Sequence, residues 1–69
     1  AVVKVIELLA QSPDGWEAAT QEALREAKDD PDIQSIYIKE FQAIVDNDQI
    51  TNYRVNVKIS FRVSDSQRP

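Results

Sequence analysis

A chain of 69 residues forms one domain at most, and so small a core stabilises a fold only marginally unless disulfides, a metal or self-association add to it. It contains no cysteine and no histidine, which excludes disulfides, cysteine-ligated zinc, activated thiols and histidine-based triads. Twelve acidic and eight basic residues leave a net charge of −4, which disfavours non-specific nucleic-acid binding, and no apolar run approaches the length of a membrane span. Self-association is therefore the expected support, and the lack of cysteine fits a reducing, cytoplasmic setting.

Val2 to Leu9 ("VVKVIELL") is rich in β-branched residues and predicts a strand. The opening "AVVKVIELLAQ" is short and carries Lys4 and Glu7, so a secretory signal is not expected. A helix is predicted over residues 13–28. Ser12 suits its N-cap, Pro13 its first position, Asp14 and Glu17 its positive end, and Arg25 and Lys28 its negative end. Trp16, Ala19, Thr20, Ala23, Leu24 and Ala27 recur at helical spacing, and the small residues let the helix lie close to a sheet. Trp16 is expected in packing, with a partner for its N–H near the helix start. "DDPD" stops the helix at or before Pro31.

Strands follow at 33–46 and 50–63, joined by "DNDQ", whose Asn and Asp suit a hairpin turn. The last strand alternates cleanly. Val55, Val57, Ile59, Phe61 and Val63 form a face for the helix, and Arg54, Asn56, Lys58, Ser60 and Arg62 form the other. In "SIYIKEFQA" the apolar positions change parity between Ile38 and Phe41. An extra residue near Lys39–Glu40 would make a β-bulge there, after which the second half of the strand is expected to turn away from the helix. The fold class is α+β, a β-α-β-β unit with a bent three-stranded antiparallel sheet wrapped around one helix, in a single domain. The strands exceed the usual length of about 5–6 residues, so their excess is expected to meet neighbouring subunits. "SDSQRP" at 64–69 is expected to fray.

The segments "KVIELLAQSPDGWEAA", "SIYIKEFQAIV" and "YRVNVKISFRV" together resemble the dodecins, small flavin-binding proteins. The likeness runs from about Val2 to Val63. It implies a hollow dodecamer of cubic symmetry with flavins bound in pairs between protomers, storing and protecting the flavin rather than turning it over. It also implies a stacking tryptophan in the second strand and a ring-bonding glutamine in the third. Aligned through "IYIKEF", the tryptophan position falls on Ser35; counted from the helix start without a gap it falls on Ile36. The glutamine position falls on Arg54, and an acidic position near the ribityl chain falls on Glu40.

Tyr37 shares a face with Ser35, and Arg54, Asn56 and Lys58 are expected to face the same way. A phenol beside a guanidinium can stack on a flat ligand and bond its carbonyls. The candidate site is therefore Ser35, Tyr37, Glu40, Arg54 and Asn56, with a flavin, riboflavin or FMN, as the expected cofactor. As a lone carboxylate, Glu40 also suits an ion pair with Lys39 or with Lys58 of another chain. The alternative is a structural shell or interaction module that has lost flavin or holds another flat ligand. Neither acidic turn fits an EF-hand, whose central glycine is missing, and the single glycine excludes a glycine-rich phosphate loop. With no recognisable carboxylate pair, the chain is not expected to be an enzyme.

Overall fold

The computed structural model describes residues 2–28 and 32–63. The element order is β1 (Val2–Ser12), α1 (Trp16–Glu26), β2 (Ile33–Asp46) and β3 (Gln49–Val63), the expected β-α-β-β order. The strands make one antiparallel sheet in the order β1-β3-β2. The expected stop at "DDPD" and the polar tail fall wholly or partly outside the described residues.

β1 continues three residues past its expected end because Ala10, Gln11 and Ser12 still pair with Val55, Arg54 and Tyr53. That pairing keeps Ser12 in the strand, so it does not cap the helix. Its Oγ instead accepts a hydrogen bond from the Asp14 N–H at 3.0 Å, closing the turn into α1. The N-cap is Gly15, whose φ of 130° lies where a side chain is strained, and the Ala19 N–H donates to the Gly15 carbonyl at 3.0 Å. The helix therefore begins at Trp16 rather than at residue 13. At its other end the Ala27 N–H is shared between the Ala23 and Leu24 carbonyls, and a tight turn through Lys28 replaces the last expected helical residues.

Asn47 and Asp48, at φ of 56° and 64°, join β2 to β3. Two successive positive φ values mark the two-residue hairpin whose twist matches the flanking strands, and Asn and Asp tolerate that conformation well. The expected bulge is present. Ile38 pairs with Val57 and Glu40 with Asn56, leaving Lys39 as the extra residue. Its consequence corrects the expectation that the strand's second half leaves the helix side. Phe41 pairs with Val55 and Ala43 with Tyr53, so the apolar stripe stays on one face of the sheet. The parity changes in the sequence because the bulge absorbs one residue in space. Two further shifts lie at Ile33/Ser35 and Ile44/Val45.

Ala19, Ala23 and Ala27 pack on Val55, Val57, Ile59 and Phe61, with Ile6, Leu8, Ala10, Ile33, Ile36 and Ile38 around them. Each of Val55, Val57 and Ile59, fully buried, contributes about 1.5–3 kcal/mol. Eleven helical residues span roughly 16 Å, whereas the fifteen of β3 span roughly 50 Å. Most of the sheet is thus left open by the helix: Val63, expected in the core, is exposed, and the molecule measures 59 × 18 × 12 Å.

Candidate functional site

The sheet has a helix side and a helix-free side, and the pairing register assigns every residue of β3 to one of them. On the helix-free side successive rungs, read β1–β3–β2, are Val5–Ser60–Ser35, Glu7–Lys58–Tyr37, Leu9–Asn56–Glu40 and Gln11–Arg54–Gln42. All five expected site residues therefore share one face. They do not form one compact cluster, because Ser35 and Arg54 lie three rungs apart, roughly 20 Å. Tyr37, Glu40 and Asn56 occupy neighbouring rungs at the centre, and Tyr37 is 62% exposed. The Oγ atoms of Ser35 and Ser60 form a hydrogen bond of 2.6 Å. Arg54 turns towards β1, where its Nε and Nη2 donate to the Gln11 Oε1 at 3.1 and 3.0 Å.

Lys39 projects from the bulge across β3 and pairs with Glu7 at 3.4 Å. The lysine expected to serve Glu40 serves Glu7 instead, and Glu40 makes no ion pair among the described residues. The Glu7 carboxyl is held below its ordinary value, first by the charge of Lys39, then by hydrogen bonds from Asn56 and Lys39. The Asn56 Oδ1 is shielded from solvent and has no hydrogen-bond partner, which leaves an acceptor unused at the middle of the face. Gln11 and Glu7 were not legible as site neighbours. β1 carries apolar residues on both faces, so its alternation does not disclose which side meets which rung of β3.

The helix side holds a second feature. Trp16 meets Phe41 and Tyr53 edge-on, with ring centroids 5.8 and 4.9 Å apart. Its Nε1–H donates to the Gln42 carbonyl at 3.1 Å, so its partner lies on β2 and not at the helix start. A cleft of about 260 Å³ opens beside it, lined by Trp16, Thr20, Ile38 and Phe41 among others. Among the described residues no group of three or more carboxylates could hold a metal ion, and no helix is long and apolar enough to cross a membrane.

A two-residue hairpin, a bulged second strand and an alanine-striped helix under β3 together define a fold that can be compared with known proteins. The dodecin family model matches residues 2–64. This chain belongs to the dodecin family. It is 34% identical to the calcium dodecin of Mycobacterium tuberculosis over 68 residues, 97% of this chain and 96% of the relative. The crystal structure of that calcium-chelating dodecin, with a novel calcium-binding site, matches with a TM-score of 0.79 at 34% identity, covering all of both chains. An arginine-to-alanine variant of T. thermophilus dodecin matches with a TM-score of 0.85 at 29% identity, over 93% of this chain and 97% of that one. Dodecins are oligomeric proteins that bind small ligands without catalysis, and this chain is likewise a binding protein and not an enzyme.

Proposed function

We propose that this dodecin stores and shields a flavin, riboflavin or FMN, between subunits of a hollow, cytoplasmic dodecamer. The ligand lies against the helix-free face, lined by Ser35, Tyr37, Glu40, Arg54 and Asn56. The observation that carries this reading is the centre of that face, where an exposed tyrosine ring adjoins an asparagine acceptor without a partner. The ring supplies a stacking surface, and the Asn56 amide, once turned outward from its shielded position, offers an acceptor to an N–H of a flat heterocycle. Flavin stacked on a phenol loses its excited state rapidly, which is the protective chemistry. In this reading the family's stacking tryptophan is absent, Ser35 stands in its place, and Tyr37 takes over the stacking. The five residues span more than one tricyclic ring, which suits a pair of ligands or one ligand with an extended chain.

A flavin titration followed by fluorescence tests this. Quenching at micromolar protein is expected, with affinity reduced about ten-fold or more in Tyr37→Ala, the scale of one lost aromatic contact. No quenching by the wild-type protein contradicts the flavin reading. Affinity unchanged in Tyr37→Ala moves the site off this face. A second reading, a shell that has lost flavin, is favoured by one observation, the closed Ser35–Ser60 hydroxyl pair. Calcium, bound by the M. tuberculosis relative, finds no carboxylate cluster among this chain's described residues.

A further inference from the structure

The two edges of the sheet, β1 and β2, are built differently. β2 carries three register shifts along its pairing with β3. β1 pairs with β3 through eleven consecutive residues, Val2 to Ser12, without a shift. In antiparallel pairing alternate residues bond the neighbouring strand, and the others turn their N–H and C=O groups outward. Among the described residues no strand pairs with that outer row. β1 has no proline and no bulge, and only Lys4 and Glu7 are charged, so it has little of what keeps an edge from pairing.

The same edge is complementary to itself. A second β1 that continues the sheet antiparallel must match faces, so a helix-side residue lies opposite a helix-side residue. Val2, Lys4, Ile6, Leu8 and Ala10 are on the helix side, and Val3, Val5, Glu7 and Leu9 are on the other. With Glu7 opposite itself, two carboxylates meet at the two-fold axis. With Val5 or Leu8 opposite itself, either Leu9 or Val3, 66% and 54% exposed, runs past the partner's β1. With Ile6 opposite itself, none of these conflicts arises. Val3 then faces the partner's Leu9, and Lys4 faces the partner's Leu8. Leu8 borders a groove of about 240 Å³ between β1 and α1, whose lining includes Glu22 and Glu26. Glu22 is already paired with Arg25 at 2.8 Å, whereas Glu26 makes no ion pair among the described residues. This register delivers a lysine to that unpaired carboxylate twice, once from each copy.

We propose that the outer edge of β1 docks the β1 of a second copy of this chain, antiparallel about a two-fold axis at Ile6, with Lys4 of each copy against Glu26 of the other. The seam joins the two sheets into one and covers Val3, Val5 and Leu9 of both copies on the helix-free side. It is an isologous contact, of the kind that the two-fold axes of a closed assembly carry. It needs no ligand, so it stands or falls independently of the flavin reading.

Disulfide trapping reads the register directly, because the chain has no cysteine of its own. Val3→Cys and Leu9→Cys are made singly and together, both at exposed positions. Across the proposed seam the double variant sets cysteine opposite cysteine at a spacing that a disulfide spans. In either single variant the two cysteines lie roughly 20 Å apart along the seam, too far to link. Mild oxidation of the purified oligomer should give covalent dimers from the double variant and monomers from each single one on a non-reducing denaturing gel. Monomers from the double variant, or single variants that link as readily, overturn the proposal. In the double-cysteine protein, Lys4→Glu should cut the dimer yield several-fold, and adding Glu26→Lys should restore it. A role of Lys4 confined to its own Phe61 ring, 5.8 Å away, is not restored by a change at Glu26. A yield that Lys4→Glu leaves unchanged, or a loss that Glu26→Lys does not restore, overturns the pairing of Lys4 with Glu26.

Discussion

Lys39 and Glu7 show how one residue out of register can organise a face. Lys39 belongs to no rung of the sheet, which frees its side chain to cross β3 and lower the proton affinity of Glu7. Because Glu7 holds its proton less tightly in the folded chain, it favours folding at pH above its ordinary value of 4.5, and that contribution disappears as the pH falls through its lower folded value. The pair is half exposed, so the effect is small. Unfolding midpoints measured from pH 6 downward should fall less steeply in Glu7→Gln than in the wild-type protein. Superimposable profiles would remove Glu7 from the acid response. The pair was invisible in the sequence, since its members lie 32 positions apart on strands that do not touch. Arg54 and Asn56, by contrast, could be placed on one face from the alternation of β3, and Ser35 and Tyr37 on one face from that of β2 before the bulge, whereas Glu40 joins them only through the bulge itself.

Among the elements, the bulge in β2 does the most to shape the site. Without Lys39, every later residue of β2 changes sides: Glu40 and Gln42 turn towards the helix, and Phe41 leaves Trp16 and Val55. Deleting Lys39 should therefore lower the unfolding midpoint far more than Lys39→Ala, which removes only an exposed ion pair. Equal midpoints for the two variants would show that the strand can re-pair at no cost. The existence of the bulge was legible because the apolar parity breaks between Ile38 and Phe41. Its effect was not, because the sequence records the change of parity while the fold uses it to keep one face apolar. The start of α1 was misplaced for a related reason. "SP" is a good helix-start signal, but pairing with Tyr53 holds Ser12 in β1, and Gly15 becomes the cap. Only the three-dimensional register of β1 on β3 decides that competition.

For the molecule as a whole, the open sheet is the dominant fact. The accessible surface is 5128 Å², against about 4,400 Å² for a compact monomer of this mass, an excess of roughly 700 Å². That is close to the ~800 Å² that one partner contributes to a standard interface. The exposed apolar residues lie where an assembly would cover them. Val3, Val5 and Leu9 are on the helix-free side of β1, Phe41 lies beside Trp16 on the helix side, and Val45 and Ile50 extend along the hairpin beyond the end of β1. An isolated chain would present these surfaces to water, and the two-stranded part of the hairpin would gain little stability by itself. The family is oligomeric, and the length of β2 and β3 already pointed to neighbours that the helix alone could not replace.

Native mass spectrometry of the protein, purified and then mixed with flavin mononucleotide, tests the shell and its cargo together. The proposed function requires a single assembly of twelve 7.8 kDa chains, about 94 kDa, that gains mass in steps of one flavin. A stable monomer or dimer, or a dodecamer to which no flavin adds, would contradict it.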